Sequence, residues 1–178
     1  DQTYLPQKTI VCTQLAYDDL YTQPVGKLIV RPKPTDLVSL VNEAVNSQRI
    51  AIELQERKSL VCQLPDKLEG EWDASRIRQV VDNVIGNAIK YSPSNGKVEV
   101  ALERDEGWAI LRVKDNGIGI APEDQSRIFK PFERAVKSSN YGGLGIGLYV
   151  SARIVELHHG RIEVSSVPGH GSCFKIAL

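Results

Sequence analysis

The segment Leu111-Arg-Val-Lys-Asp-Asn-Gly-Ile-Gly-Ile120 is followed by Ile128-Phe-Lys-Pro-Phe-Glu-Arg134 and then by Gly142-Gly-Leu-Gly-Ile-Gly-Leu-Tyr-Val150. The first segment predicts a buried strand that runs into a glycine turn carrying one carboxylate. The last predicts a glycine-rich loop that opens an apolar helix. Such a loop can cradle phosphates, because glycine lets backbone N–H groups approach an anion and a helix N-terminus favours negative charge. About twenty residues between the glycine-rich segments have the polar, weakly periodic composition of a mobile lid. These features together indicate a nucleotide site.

Two well-known phosphate motifs do not account for this site. A Walker loop requires Ser or Thr after Gly-Lys, but an apolar residue follows both Gly26-Lys27 and Gly96-Lys97. A dinucleotide fingerprint requires a third glycine, which is replaced by Pro122 in one candidate and by Val150 in the other. Nucleotide binding by this chain therefore requires a different motif.

Composition indicates a single reduced globular domain. The chain has 178 residues with 42% hydrophobic content, which is enough for one core. Lysine plus arginine equals aspartate plus glutamate at 22 each, so bulk charge points neither to nucleic acid nor to an anionic membrane. The three cysteines, Cys12, Cys62 and Cys173, are far apart and odd in number, which argues against a disulfide framework or a zinc cluster and favours the cytosol. No apolar run predicts a membrane helix or a signal peptide, and the absence of methionine suggests a fragment.

Apolar patterns predict alternating strands and helices. Residues 1–9 are expected to form a loose tail, and the apolar spacing over residues 10–21 permits a short helix. Asp36 and Asp73 are predicted N-caps of two long helices, and Pro122 lies in the first turn of a short one. A further helix is predicted over residues 144–159 and ends at Gly160. Strands are predicted at residues 25–31, 59–64, 97–104, 108–113, 161–166 and 172–177.

Two sets of polar residues need explanation in this framework. Asn83, Asn87 and Lys90 lie together on one side of the second long helix, where a ligand could supply the partners that buried amides need. Two antiparallel strands deliver Asp115 to the edge of the sheet, where a carboxylate is costly unless it accepts hydrogen bonds. Asp-Asn-Gly is also a common surface turn, so this pattern alone leaves both interpretations open.

Residues 73–176 resemble the ATP-binding catalytic domain of sensor histidine kinases, part of a wider ATPase group that includes DNA gyrase, a mismatch-repair ATPase and a heat-shock chaperone. A looser similarity covers the closing segment from Gly160 to Phe174. Chance does not readily produce four motifs in the order and spacing of one family. The four matching motifs are Asn83-Val-Ile-Gly-Asn-Ala-Ile-Lys-Tyr-Ser92, Asp115-Asn-Gly-Ile-Gly-Ile120, Phe129-Lys-Pro-Phe-Glu-Arg134 and Gly143-Leu-Gly-Ile-Gly-Leu148.

The resemblance implies ATP and Mg²⁺ as cofactors and assigns roles to individual residues. It implies that the Asn87 side-chain oxygen holds Mg²⁺ against the phosphates, and that Asp115 accepts a hydrogen bond from the adenine amino group. Lys90 and Tyr91 match positions that contact phosphate and nucleotide. The other ATP-binding positions that it implies are Asn83, Gly117, Gly119, Ile120, Phe129, Phe132, Gly143, Leu144, Gly145, Ile146, Gly147 and Leu148.

Three residues next to the predicted lid each have a structural and a functional interpretation. By resemblance, Phe129 and Phe132 form the hinge that anchors the lid, and they are also acceptable as ordinary core aromatics. Arg134 aligns with a basic residue that reaches the phosphates in several histidine kinases, and an exposed lid charge is an equally good interpretation. With Lys90, it is a candidate catalytic contact to the phosphates.

Residue 83 bears on the type of reaction. In gyrase-like relatives the residue one turn before the magnesium-binding Asn is a Glu that activates water. Here it is Asn83, an amide that cannot act as a general base at neutral pH. The sequence therefore favours keeping the γ-phosphate for another acceptor over hydrolysis.

The expected fold is a two-layer α/β sandwich of the Bergerat type, with a mixed sheet of about five strands and about three helices on one face. The resemblance implies a cytoplasmic catalytic domain over residues 25–178, preceded over 1–24 by a tail and the possible end of a dimerisation helix. The parent protein could be anchored in a membrane, although direct membrane contact by this domain is not expected.

The expected function is transfer of the ATP γ-phosphate to a histidine on a separate dimerisation domain, with a response regulator downstream. None of His158, His159 and His170 fits the phosphoacceptor, since each is followed by different residues from those of the family. Two alternatives remain: a serine kinase of the anti-sigma type, and a nucleotide-binding regulatory module without transfer.

Overall fold

The computed structural model describes residues 10–12, 28–53, 59–133 and 145–178. Predictions for the tail, for most of the lid, and for Arg134, Gly143 and Leu144 lie outside these residues. The described strands are β1 (Ile10–Cys12), β2 (Lys33–Asp36), β3 (Ser59–Gln63), β4 (Glu69–Trp72), β5 (Lys97–Asp105), β6 (Trp108–Asp115), β7 (Arg161–Val167) and β8 (Gly171–Ala177). The helices are α1 (Leu37–Glu53), α2 (Ala74–Tyr91), α3 (Pro122–Gln125) and α4 (Gly147–Leu157), with a 3₁₀ turn at Arg127–Phe129.

The main sheet confirms the predicted α/β fold. Its strand order is β1-β7-β8-β6-β5-β3, in which only the β3–β5 pair is parallel among the described strands. Five of its strands correspond to predicted ones, and β1 adds a sixth at the edge. Strands β2 and β4 form a separate antiparallel pair. Helices α1, α2 and α4 pack side by side, and each contacts the main sheet.

Helix α2 anchors the helical layer through one apolar face. The face is buried because its residues recur at spacings of three and four, which places them on one side of a helix. Its buried members are Ile77, Val80, Val81, Val84, Ile85 and Ala88. Truncating one of the larger of these side chains to alanine would cost about 2–5 kcal/mol, since a cavity remains in a packed core. The polar side of α2 is therefore fixed in rotation by its apolar side.

Two described segments before α1 differ from the sequence predictions. Residues 10–12 form β1 and not a helix, because they pair with residues 162–164 of β7. The strand predicted over 25–31 is wrong for residues 28–31, which have no regular secondary structure. The strand begins instead at Lys33, with Pro34 paired to Glu71 in a two-stranded ribbon where a missing N–H is tolerated.

Helix α4 is shorter than predicted at both described ends. It begins at Gly147, because Gly145 has a φ of +70° that no right-handed helix contains. It ends at Leu157, with His158 as C-cap, and the left-handed residue that follows is His159 (φ +61°), not Gly160. Among the described residues, no helix combines the length and apolar character needed to cross a membrane.

Both predicted aspartate caps are confirmed. Asp36 Oδ1 accepts the N–H of Val38 at 3.2 Å and that of Leu68 at 3.0 Å, which ties the start of α1 to the approach to β4. Asp73 Oδ1 accepts the N–H of Arg76 at 3.1 Å. Each cap thus satisfies a helix N-terminus and also takes part in tertiary structure.

Asp73 joins three parts of the chain. Its Oδ2 accepts the N–H of Arg31 at 2.9 Å, and its own N–H donates to His158 Nε2 at 2.9 Å. Since Nε2 accepts, His158 Nδ1 carries the proton that it shares with the Ile154 carbonyl at 2.8 Å. The segment before β2, the start of α2 and the end of α4 therefore meet at one residue.

The charge state of Asp73 follows from these contacts. Partial burial raises the pKa of the Asp73 carboxyl, but hydrogen bonds from the Ser75 hydroxyl and from the N–H groups of Arg31, Arg76 and Ser75 outweigh burial and lower it to about 2. The ionised form is thus stabilised by folding.

Replacing Asp73 by alanine is expected to lower the free energy of unfolding by about 1 kcal/mol at neutral pH, because the N-cap is lost. Since the folded pKa lies below the ordinary value of 3.8, the contribution is complete above this value and fades as pH falls toward 2. Urea unfolding of both proteins at pH 7 and pH 3 measures the difference. Asp66→Ala, at an exposed turn carboxylate, is the control. A difference as large at pH 3 as at pH 7 would contradict the linkage.

Candidate nucleotide-binding site

The polar side of α2 forms one wall of the candidate site. Asn83, Asn87, Lys90 and Tyr91 are all half-buried, and they follow one another toward the C-terminal end of the helix. The Lys90 Nζ atom lies 5.1 Å from the centre of the Tyr91 ring, a distance suited to a cation–π contact. At 1.5 Å per residue, Asn83 and Tyr91 are about 12 Å apart along the helix axis. The wall is thus long enough to have two separate ends.

Asp115 lies at the Tyr91 end of this wall. It is the last residue of β6, an interior strand, and only 5% of its surface is exposed. Its Oδ1 accepts the Gly117 N–H at 2.8 Å. Burial raises the pKa of Asp115, and the N–H groups of Gly117 and Ser172 partly offset that effect. The turn interpretation is thus correct in its local hydrogen bond, from the side chain to the N–H two residues on, but wrong in placing the turn at the surface. This position holds a buried acceptor that can pair with a ligand amino group.

The loop after Asp115 is fitted closely against the end of α2. A Cβ on Gly117 would lie 2.3 Å from the Tyr91 carbonyl oxygen and 2.8 Å from Asp115 Oδ1. The N–H of Ile118 donates to the same Tyr91 carbonyl at 3.3 Å. Only glycine leaves room at position 117, so the predicted residues Tyr91, Asp115 and Gly117 are brought together here.

The β7–β8 hairpin closes the other side of this loop. Gly119 has a φ of +69°, and a Cβ there would lie 2.1 Å from the Val167 carbonyl oxygen. The N–H of Gly169 donates to the Ile118 carbonyl at 2.8 Å. A Cβ on Gly171 would lie 2.1 Å from the Asp115 carbonyl oxygen, so the hairpin contacts the backbone of the carboxylate-bearing residue itself.

A buried polar cluster behind Asp115 was not identified from the sequence. Ser166 Oγ accepts the Ile120 N–H at 2.8 Å and donates to the Gly171 carbonyl at 2.7 Å. Because the Ser166 hydroxyl proton is already donated to Gly171, the Ser172 hydroxyl is the donor in its 2.9 Å hydrogen bond to Ser166 Oγ. Gln125 Nε2 donates to the carbonyls of Ile120 and Ser166 at 3.1 and 2.8 Å. These residues give no local pattern, and only the pairing of distant segments reveals them.

The opposite end of the wall contains the described part of the glycine loop. Gly145, Ile146, Gly147 and Leu148 lead into α4, and Gly147 is its first residue. A Cβ on Gly147 would lie 2.2 Å from Asn83 Oδ1, which shows how closely the start of α4 approaches α2. The start of a helix is a favourable position for phosphate groups.

The two aromatic residues before the lid have different environments. Phe129 is 1% exposed and belongs to the core, as predicted. Phe132 is 61% exposed with a φ of +64°, so its interpretation as a core aromatic is wrong. Its N–H donates to the Gly145 carbonyl at 3.0 Å. This bond joins residues on either side of segment 134–144 and is consistent with a hinge.

The chemistry of the site fits a magnesium nucleotide. Asn87 offers an amide oxygen, a hard ligand of the kind that Mg²⁺ accepts together with phosphate and water oxygens. No group of three His, Cys, Asp or Glu side chains that could hold a metal occurs within the described ranges. A metal bound here would therefore depend on the nucleotide for most of its ligands.

The chain is similar in sequence to known proteins. Residues 72–178 match the family model described as Histidine kinase-, DNA gyrase B-, and HSP90-like ATPase. The chain is 32% identical over 162 residues to the circadian input-output histidine kinase CikA of Synechococcus elongatus, covering 89% of this chain and 22% of CikA. It is 36% identical over 157 residues to the adaptive-response sensory kinase SasA of Thermosynechococcus vestitus, covering 87% of this chain and 41% of SasA.

Solved structures show the same fold. The mycobacterial sensor histidine kinase MprB superposes with a TM-score of 0.73 at 26% identity, covering 83% of this chain and 97% of that structure. Full-length ShkA in complex with AMPPNP also gives a TM-score of 0.73, at 24% identity, over 84% of this chain and 31% of ShkA. The second comparison supports the fold alone.

This chain spans well under half of the two kinases CikA and SasA, so their whole-protein activities do not transfer directly to it. The family match, in contrast, includes α2, the Asp115 loop, α4 and the final hairpin, which together form the candidate site. The chain belongs to the family of histidine kinase-, DNA gyrase B- and HSP90-like ATPases.

Proposed function

We propose that this chain binds Mg-ATP and donates the γ-phosphate to a histidine on a separate dimerisation domain, as the catalytic domain of a sensor histidine kinase. The observation that carries the proposal is the buried Asp115 carboxylate at one end of the α2 wall, with the glycine-led start of α4 at the other. The first suits a base amino group and the second suits phosphates. Full-length ShkA, which has the same fold, was solved in complex with AMPPNP, an ATP analogue, and this complex fits the assignment.

The chain's own residues contribute binding and orientation in this proposal. Asp115 selects the base, and Asn87 holds Mg²⁺, which supplies charge neutralisation when it is bound. Lys90 and the residues of the loop that ends at Gly147 orient the phosphates, and Arg134 is proposed to reach them as well. Phosphoryl transfer asks mainly for positioning and electrostatic stabilisation, so these roles suffice.

The nature of residue 83 favours transfer over hydrolysis. Asn83 Nδ2 donates to the Ser151 hydroxyl at 2.9 Å, so the group one turn before Asn87 is a neutral amide that is engaged within the protein. An amide has no proton-accepting capacity for water activation near neutral pH. We therefore expect the chain alone to bind ATP but to turn it over slowly.

We further propose the context in which the domain acts. The catalytic domain comprises residues 25–178, and its partners are a dimerisation and histidine-phosphotransfer domain and, downstream, a response regulator. The location proposed for the domain is the cytoplasm. The names of the sensor kinases that the chain resembles support this context.

Asp115→Asn is expected to weaken ATP binding at pH 7 by at least about tenfold, because a charged hydrogen-bond acceptor is lost. Burial raises the pKa of the Asp115 carboxyl above the ordinary Asp value of 3.8. This carboxyl should therefore become protonated, and wild-type ATP binding should begin to fall, at a higher pH than if Asp115 were an ordinary Asp. The ratio of the two affinities should therefore narrow as the solution is acidified, and the titration of ATP itself cancels in this ratio. Calorimetric titrations from pH 7 downward measure it, with exposed Asp105→Asn as control. Equal affinities at pH 7 would refute the base contact.

Asn87→Ala is expected to abolish most of the strengthening of ATP binding by Mg²⁺, because the proposed metal ligand is removed. Calorimetry with Mg²⁺ and with EDTA gives the ratio of affinities, which should fall toward one in the variant. Asn42→Ala, at an exposed position on α1, should keep the wild-type ratio. If Asn87→Ala also keeps the wild-type ratio of ATP affinities with Mg²⁺ and with EDTA, Asn87 is not the metal ligand, although the site still binds nucleotide.

The transfer reaction itself can be tested with radiolabelled ATP and a histidine-bearing dimerisation hairpin supplied in trans. Acid-labile phosphate on the hairpin is the expected product, and at ATP concentrations below saturation Asp115→Asn should form it more slowly. Acid-stable phosphate on serine would show a serine kinase. ATP binding without transfer to any acceptor would favour a regulatory module.

A further inference from the structure

Ser151 is a buried polar residue on α4 for which the nucleotide site described above gives no role. It is 1% exposed and lies four residues after Gly147, so it is on the same side of α4 as that glycine. Its Oγ accepts a hydrogen bond from Asn83 Nδ2 at 2.9 Å. The bond connects α2 to α4 through two residues that are 68 positions apart in the sequence.

The Asn83 amide is held between Ser151 and the first residue of α4. A Cβ built on Gly147 would lie 2.2 Å from Asn83 Oδ1, 2.9 Å from its Cγ and 3.2 Å from its Nδ2. The amide thus presents its oxygen to the glycine, and its nitrogen is bonded to Ser151. Any larger residue at position 147 would displace it.

We propose that Ser151 is a positioning residue for nucleotide binding: it holds the Asn83 amide against Gly147 and so fixes the phosphate end of the site. This inference rests on the proposed function. Asn83 stands one turn before the proposed magnesium ligand Asn87, and Gly147 is the last residue of the loop proposed to contact phosphates and the first residue of α4. A hydrogen bond that fixes Asn83 relative to α4 therefore sets the distance between the proposed magnesium position and the phosphate-binding loop.

The physical reason lies in the loss of a hydrogen bond between a buried hydroxyl and a half-buried amide. Without the Ser151 hydroxyl, this Asn83 N–H group loses the partner that the described residues provide, and turning toward solvent would restore a hydrogen bond. The amide would then leave the surface of Gly147 and change the shape of the phosphate end. Small displacements in such sites reduce catalysis strongly, whereas the base end, about 12 Å away along α2, stays intact.

The proposal is tested by a double-mutant cycle in the full chain, with Ser151→Ala, Asn83→Ala and the double variant. Ser151→Ala is expected to weaken Mg-ATP binding by about threefold to tenfold, the range for one neutral hydrogen bond. The double variant should bind no more weakly than Asn83→Ala, because Ser151 acts through Asn83. AMP, which lacks the β- and γ-phosphates, should bind equally well to wild type and Ser151→Ala.

Other outcomes overturn the proposal. If the fold losses in Mg-ATP affinity multiply in the double variant, Ser151 has only a structural role. The same conclusion follows if Ser151→Ala weakens AMP binding as much as Mg-ATP binding. Ile154→Val, at a fully buried position on the same helix, controls for general loosening and should leave both affinities near wild type. If the wild type itself fails to bind ATP, the proposed function fails first, whereas wild-type binding with no change in Ser151→Ala refutes this inference alone.

A measurement on the wild type alone provides an independent test. The side-chain NH₂ protons of Asn83 should exchange slowly with solvent in the nucleotide-free chain, because one of them is engaged by a buried hydroxyl. Fast exchange, matching that of exposed Asn42, would contradict the contact regardless of how the variants fold.

Discussion

The burial of one face of α2 is the constraint on which the rest of the structure depends. Six of its residues are packed into the core, and a helix fixed along one face has no freedom to rotate. Its other face, with Asn83, Asn87 and Tyr91, is therefore held at a fixed angle to the sheet. Both the Asp115 loop and the start of α4 contact this face through backbone atoms, so the core sets the dimensions of the candidate site.

The buried Asp115 carboxylate shows how the fold accommodates an unfavourable group. Burial alone would favour the protonated form, and two backbone N–H groups only partly offset this. The groups that hold the loop in place come from the β7–β8 hairpin, through Ser166, Ser172 and the glycines of the turn. The hairpin is thus part of the site, although none of the residues through which it holds the loop carries a charge that would suggest a binding role.

Much of this structure could be predicted from the sequence, and the failures have physical causes. Local periodicity identified α2, β5 and β6, and a charge-bearing glycine turn identified Asp115. The position of β2 depends on its pairing with β4, and the contact of Gln125 with Ser166 spans 41 residues, so neither has a local signal. Hydrophobicity alone makes a core position acceptable for Phe132, but the side chain is exposed, and its N–H is bonded to the Gly145 carbonyl across the lid segment, a contact that gives no local signal.

Gly147 shows that one motif position can satisfy two requirements at once. A glycine in a loop before a helix is ordinarily explained by close approach of phosphate to the backbone. Here the nearest obstacle to a side chain is the Asn83 amide, at 2.2 Å from where a Cβ would lie, and it belongs to the protein itself. The same amide replaces the glutamate that would activate water, and its bond to Ser151 keeps it in place. The same Asn83 side chain therefore accounts both for a group without basic character at residue 83 and for the need for glycine at residue 147, because it is held between α2 and α4.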